Sequence, residues 1–107
     1  MNIIEQNLKS ISELCQYHEV DRLFVFGSVL SDNFRAESDI DFLVKLGDID
    51  SYLYFENYME FKEGLENLLQ RSVDLVEEQT LKNPVLKKSI DKTEKLIYGR
   101  EDRKVAA

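Results

Sequence analysis

The chain has 107 residues, 43% of them hydrophobic and 33% charged, and its 21 acidic against 14 basic side chains leave a net charge of −7. That length holds one domain with a modest core, and the hydrophobic share excludes a disordered tail. The acidic balance excludes DNA binding through a basic field, disfavours an anionic membrane surface, and means that any phosphate chemistry here would need metal ions.

Ile4, Leu8, Ile11 and Cys15 recur at helical spacing, with Ile3 and Leu14 flanking them, which predicts an amphipathic helix over 2–18. Leu23-Phe24-Val25-Phe26, ended by Gly27, reads as a buried strand. The polar stretch 31–38 has room for a helical turn and a loop. A second strand follows over 39–46, closed by Gly47-Asp48, and Tyr54, Phe55, Tyr58, Phe61, Leu65, Leu68 and Leu69 mark the longest helix, 51–71. Val73-Asp74-Leu75-Val76 is a third strand. Asn83-Pro84 starts a last helix, with Asn as cap and Pro at the first helical position. Val85, Leu86, Ile90 and Thr93 are its inward side, and Leu96-Ile97-Tyr98 either closes it or forms a short strand. Residues 100–107 read as a frayed tail. The order helix, strand, short helix, strand, helix, strand, helix predicts an α/β (α+β) fold, a small sheet flanked by helices, in a single domain over 1–107.

The chemistry is concentrated in the strands. Side chains alternate across a strand, so Asp39 and Asp41 point one way, about 7 Å apart along it, while Ile40, Phe42 and Val44 point into the core. Like charges so close raise a carboxyl pKa and cost stability unless a cation is shared between them. Asp74 is a second anomaly, an acid within an otherwise apolar strand. Three strand carboxylates converging on one edge are explained most simply by a divalent metal site, with Mg²⁺ or Mn²⁺ suited to all-oxygen ligands. Gly27-Ser28 after a strand offers free backbone N–H groups and a hydroxyl to phosphate oxygens. Each piece alone has an ordinary structural reading: Asp-x-Asp is often the polar side of an edge strand, and Gly-Ser alone means little. Their conjunction describes apparatus for phosphoryl or nucleotidyl transfer.

Other features read as structural. His18, the single histidine, ends the first helix, where a His usually meets the carbonyl ends. Tyr52, Tyr54, Phe55 and Tyr58 read as core and helix packing, with a partner surface as the alternative. Cys15 is the one cysteine and lies on an apolar stripe, so no intrachain disulfide or thiolate cluster forms. With no basic leader running into a long apolar stretch, the expectation is a cytoplasmic protein.

At Phe26-Gly27-Ser28, Ser38-Asp39-Ile40-Asp41-Phe42-Leu43-Val44 and Val73-Asp74-Leu75-Val76 the chain resembles the minimal nucleotidyltransferases of the DNA polymerase beta superfamily. The resemblance extends over essentially the whole chain and implies their fold, a small mixed sheet with helices. It implies two Mg²⁺ ions on Asp39 and Asp41, with Asp74 completing one site and helping activate an acceptor hydroxyl. It also implies that Gly27 and Ser28 hold the nucleoside triphosphate. Single-domain members resemble the antitoxin half of a toxin–antitoxin pair with a helical HEPN-type ribonuclease, which implies transfer of AMP from ATP to a hydroxyl of that partner. Many relatives carry an Ala-Arg-Gly run beginning two residues after the Ser. Here the chain reads Leu30-Ser31-Asp32, so Ser31 replaces the Arg and leaves Arg35, Lys45 or Arg71 to supply positive charge.

Two alternatives stand beside that expectation. One is a binding module that neutralises its partner by occlusion. The other is a transferase acting on a small hydroxylated molecule such as an aminoglycoside, with the acceptor pocket built by a homodimer.

Overall fold

The spacing from Ile4 to Cys15 is helical throughout, yet it builds two helices. The structure is a computed structural model that describes residues 2–27, 39–80 and 94–99. In it α1 (Asn2–Gln6) and α2 (Leu8–Tyr17) are separated at Asn7. The Asn7 side-chain amide donates to the Ile3 carbonyl at 2.7 Å, competing with the helix ladder. The Ile11 N–H to Asn7 carbonyl bond, 2.8 Å, then starts α2. Ile4, Ile11 and Cys15 are fully buried, whereas Leu8, the first residue of α2, is 40% exposed, so the break takes one expected member out of the apolar stripe.

Among the described residues four strands follow rather than three: β1 (Val20–Phe26), β2 (Ile40–Leu46), β3 (Val73–Glu77) and β4 (Lys95–Gly99). Their order in the sheet is β3-β2-β1-β4. β1 begins three residues before the expected start, because Val20 pairs with Leu46 and Arg22 with Lys45 and Gly99, with Asp21 at an irregularity between them. The segment around Leu96-Ile97-Tyr98 takes the strand alternative and pairs antiparallel with β1, Arg22 opposite Gly99. β1 and β2 are antiparallel, whereas β2 and β3 are parallel, which gives the mixed sheet. The expected turn in 31–38, the helix starting at Asn83-Pro84 and the tail 100–107 lie outside the described residues.

The parallel pair is joined by α3 (Ser51–Leu69), which ends two residues before the expected boundary, at Gln70 in the left-handed region with φ 54°. Its interior Gly64 has a packing reason: a Cβ there would lie 3.0 Å from Leu14 Cδ2, so the missing side chain lets α3 close on α2. Phe61, Leu65 and Leu69 of α3 meet Ile11 and Cys15 of α2 over one side of the sheet. There Ile40, Phe42 and Val44 point inward as the alternation predicts. Phe24 and Leu43 are equally buried on the other side, with Phe26 and Val76 against them. Burial on both sides is why these strands read as continuous apolar runs, and each such side chain contributes roughly 1.5–3 kcal/mol.

His18 is more than a helix terminus. It is buried, its Nδ1 lies 3.0 Å from Asn57 Oδ1, and its ring packs between Tyr17 and Phe61, tying α2 to α3. Arg22 and Glu78 form a two-pronged ion pair, Nε–Oε2 2.7 Å and Nη2–Oε1 3.0 Å, which ties β1 to the 3-10 turn Glu78–Thr80 after β3. Burial pushes the Cys15 thiol up to about 12. Iodoacetamide at pH 8 should therefore leave the native chain unlabelled and label it rapidly in denaturant; fast native labelling, read by intact mass, would contradict the α2 packing. Among the described residues no helix is long and apolar enough to cross a membrane.

Candidate active site

Two strand registers meet at one residue. Parallel pairing sets Asp41 of β2 beside Asp74 of β3, and antiparallel pairing sets Asp41 beside Phe26, the last residue of β1. Neighbouring strands are about 4.8 Å apart, so paired positions bring their side chains out together on the same side of the sheet. Asp39 lies just before β2, which starts at Ile40 rather than at 39, and its charge acts on Asp41 from there. Asp39 and Asp74 are exposed and Asp41 is half-buried.

Gly27 completes this corner. It leaves β1 with φ +79°, in the left-handed region, and a Cβ at 27 would stand 2.4 Å from Asp41 Oδ2. The absent side chain is therefore the space that the Asp41 carboxylate occupies. Ser28, the other half of the expected phosphate cradle, lies outside the described residues.

The electrostatics follow from this crowding. The Asp41 carboxyl is raised above its ordinary value, first by burial, then by the charge of Asp74 and then by that of Asp39. Among the described residues, no three His, Cys, Asp or Glu side chains are drawn closely enough together to enclose an ion. The donor set nevertheless suits a hard divalent cation. The acids are all oxygen ligands on one side of the sheet, and their mutual repulsion is what such an ion relieves.

Of the cations left to replace the missing Arg, Lys45 does not reach. It lies four residues along β2 from Asp41, opposite Arg22, and its ammonium pairs with Asp21 at 3.2 Å. Arg71 is half-buried three residues before Asp74, and Arg35 lies outside the described residues.

The sequence reading missed a set of contacts beside the triad. β3 is an edge strand, and α3 lies along its free edge. Glu66 Oε2 accepts the Val73 N–H at 3.0 Å, the Tyr58 hydroxyl donates to the Leu75 carbonyl, and the Tyr54 hydroxyl donates to Glu77 Oε1. Gln79 Nε2 in turn donates to the Tyr54 oxygen at 2.8 Å. Burial and the bond to Glu77 push the Tyr54 phenol up to about 12, so it stays a donor. The aromatic cluster of α3 is thus divided: Tyr54 and Tyr58 serve the strand edge, while Tyr52 and Phe55 are exposed. The Tyr-x-x-x-Tyr spacing was the available signal, since it sets both hydroxyls on one side of a helix.

Comparison with known proteins agrees with this geometry. A family model described as "Polymerase beta, Nucleotidyltransferase" matches residues 9–103. A Methanocaldococcus jannaschii protein provisionally named a protein adenylyltransferase is 36% identical over 101 residues, 87% of this chain and 98% of its own length. Protein adenylyltransferase MntA of Thermococcus cleftensis is 39% identical over 75 residues, 70% of this chain and 73% of its own. A solved structure described as a tri-AMPylated Shewanella oneidensis HEPN toxin in complex with MNT antitoxin matches in fold. Its TM-score is 0.66 at 22% identity, over 96% of this chain and 78% of that one.

Proposed function

Because the chain belongs to the polymerase beta family of nucleotidyltransferases, we propose that it moves AMP from ATP to a hydroxyl of a partner protein, as the antitoxin of a HEPN-type toxin. The observation that carries the proposal is the register-paired Asp41 and Asp74 beside Gly27. The names of the two relatives and the HEPN–MNT complex support the nucleotide and the partner.

In this reading Asp39, Asp41 and Asp74 would hold two Mg²⁺ ions, with Mn²⁺ as substitute. The ions supply activation of the acceptor oxygen and offset charge on the departing pyrophosphate. The chain's own share is geometric and electrostatic. The backbone at Gly27, with the Ser28 hydroxyl, would orient the triphosphate, and the absent Cβ leaves the Asp41 carboxylate its place against that backbone. Asp74 would take the proton of the acceptor hydroxyl as the bond to the α-phosphorus of ATP forms and the bond to pyrophosphate breaks. The proposal treats 1–107 as one domain and places it in the cytoplasm, consistent with one buried, unpaired thiol.

The test is transfer of label from α-labelled ATP, with Mg²⁺, to proteins of the native host lysate, comparing wild type with the Asp39→Asn/Asp41→Asn double variant. One labelled band, present only with wild type and identified as a HEPN-type protein, is the expected result. Absence of label, with the partner captured unmodified by both forms, would favour neutralisation by occlusion. Label on a small hydroxylated molecule would favour the third reading.

A further inference from the structure

An edge strand presents a row of backbone groups with no strand to pair them, and such strands are the parts of a sheet most prone to shift or fray. Among the described residues β3 has β2 on one side only; it spans five residues and carries Asp74 at its second position. Its exact placement sets how far Asp74 stands from Asp41, because the two are register partners.

The free edge is nevertheless occupied. Glu66, Tyr58 and Tyr54 fall at successive intervals back along α3, and they reach Val73, Leu75 and Glu77, alternate residues of β3. The first two contacts are to main-chain groups flanking Asp74, the N–H of the residue before it and the carbonyl of the residue after it. The third is to a side chain at the strand end, which Gln79 also joins through Tyr54. Asp74 is therefore pinned from the side opposite to its pairing with β2, by groups that do not belong to the sheet. The geometry points to Glu66 and Tyr58 as positioning residues for the carboxylate site: they clamp the outer edge of β3 and so hold Asp74 at the separation from Asp41 that a shared divalent cation requires. Tyr54 closes the clamp at its far end.

This rests on the carboxylate site of the proposed function, and it makes a demand that simple packing would not. Tyr58→Phe keeps the ring and removes only the hydroxyl from the Leu75 carbonyl. Glu66→Ala removes the acceptor from the Val73 N–H, whereas Glu66→Gln keeps an oxygen acceptor and removes the charge. The experiment is Mn²⁺ binding to the purified full chain, followed by electron paramagnetic resonance well below the melting temperature, with melting temperatures recorded for each form.

Tyr58→Phe and Glu66→Ala are expected to weaken Mn²⁺ binding roughly tenfold, the low end of what outer partners of metal ligands cost. Glu66→Gln is expected to stay near wild type, since the hydrogen bond and not the charge is the requirement. Ile11→Val, which thins the core beneath α2, is expected to lower the melting temperature without moving Mn²⁺ affinity. Unchanged Mn²⁺ affinity in Tyr58→Phe and Glu66→Ala, whatever their melting temperatures, would overturn the clamp. So would a Glu66→Gln variant as impaired as Glu66→Ala. A wild-type chain that binds no Mn²⁺ at all would count against the carboxylate site itself and remove the clamp with it, a result distinct from the other two.

Discussion

Asp41→Asn should abolish nucleotidyl transfer, a loss of roughly a thousandfold, while making the metal-free fold more resistant to heat. The two effects have one cause. Asp41 is the member of the triad whose carboxyl is raised, by burial and then by Asp74 and Asp39, so its ionised form is held against an unfavourable environment whenever no cation is present. An amide of the same shape removes that repulsion and, at the same time, the carboxylate that the proposed function gives to the metal. The pH dependence follows by linkage. A carboxyl whose folded-state pKa lies above its unfolded value contributes stability that is complete below the unfolded value and is lost as pH rises through the folded one. The metal-free wild type should therefore gain on the variant as the solution is acidified, and the difference in melting temperature should be largest near neutral pH. Mg²⁺ should raise the melting temperature of the wild type and leave the variant nearly unaffected. A variant that melts below wild type at neutral pH without metal would contradict the electrostatic account of the corner.

Gly27→Ala should damage the same corner by a different route. At φ +79° an alanine carries a backbone cost of about 1–2 kcal/mol. Its Cβ would also stand 2.4 Å from Asp41 Oδ2, a distance that forces the carboxylate or the end of β1 to move. A total destabilisation of about 2–3 kcal/mol is expected by chemical denaturation. Activity should fall by more than that loss explains when assayed where the variant is still fully folded, because the displaced group is the central carboxylate. Transfer at the wild-type rate by a folded Gly27→Ala protein would mean that Asp41 tolerates displacement and that this glycine serves only the turn.

Much of this architecture is written locally in the sequence. The strand cores Leu23–Phe26 and Phe42–Val44 announce themselves because both sides of the sheet are covered there, so no polar alternation breaks the run. The acids stand out for the same reason: in such a run Asp41 and Asp74 have no ordinary place. The missed features depend on partners distant in sequence. Val20 to Arg22 join β1 only through pairing with Leu46, Lys45 and Gly99, which no local pattern encodes. The division at Asn7 depends on a single side-chain bond that competes with a helix favoured on both sides. The tyrosines of α3 could be assigned to packing from their spacing, but their hydroxyl partners emerge only once β3 is known to be the edge. Ser28, at the other flank of the corner, lies outside the described residues, and its role rests on the proposal.

The parallel pairing of β2 with β3 has a consequence for how the molecule reaches its working form. A slip of one residue between these strands would invert β3, turning Asp74 towards the apolar layer now filled by Val73 and Leu75 and turning those two outward. The misaligned chain would bury an unpaired charge and expose two core side chains, each penalty measured in kcal/mol. The acid that disables the slipped form is the acid to which the proposed function gives a place in the aligned one. The charge of Asp74 thus disfavours the slipped alignment, and under the proposed function a molecule in the wrong register would also lack its third carboxylate.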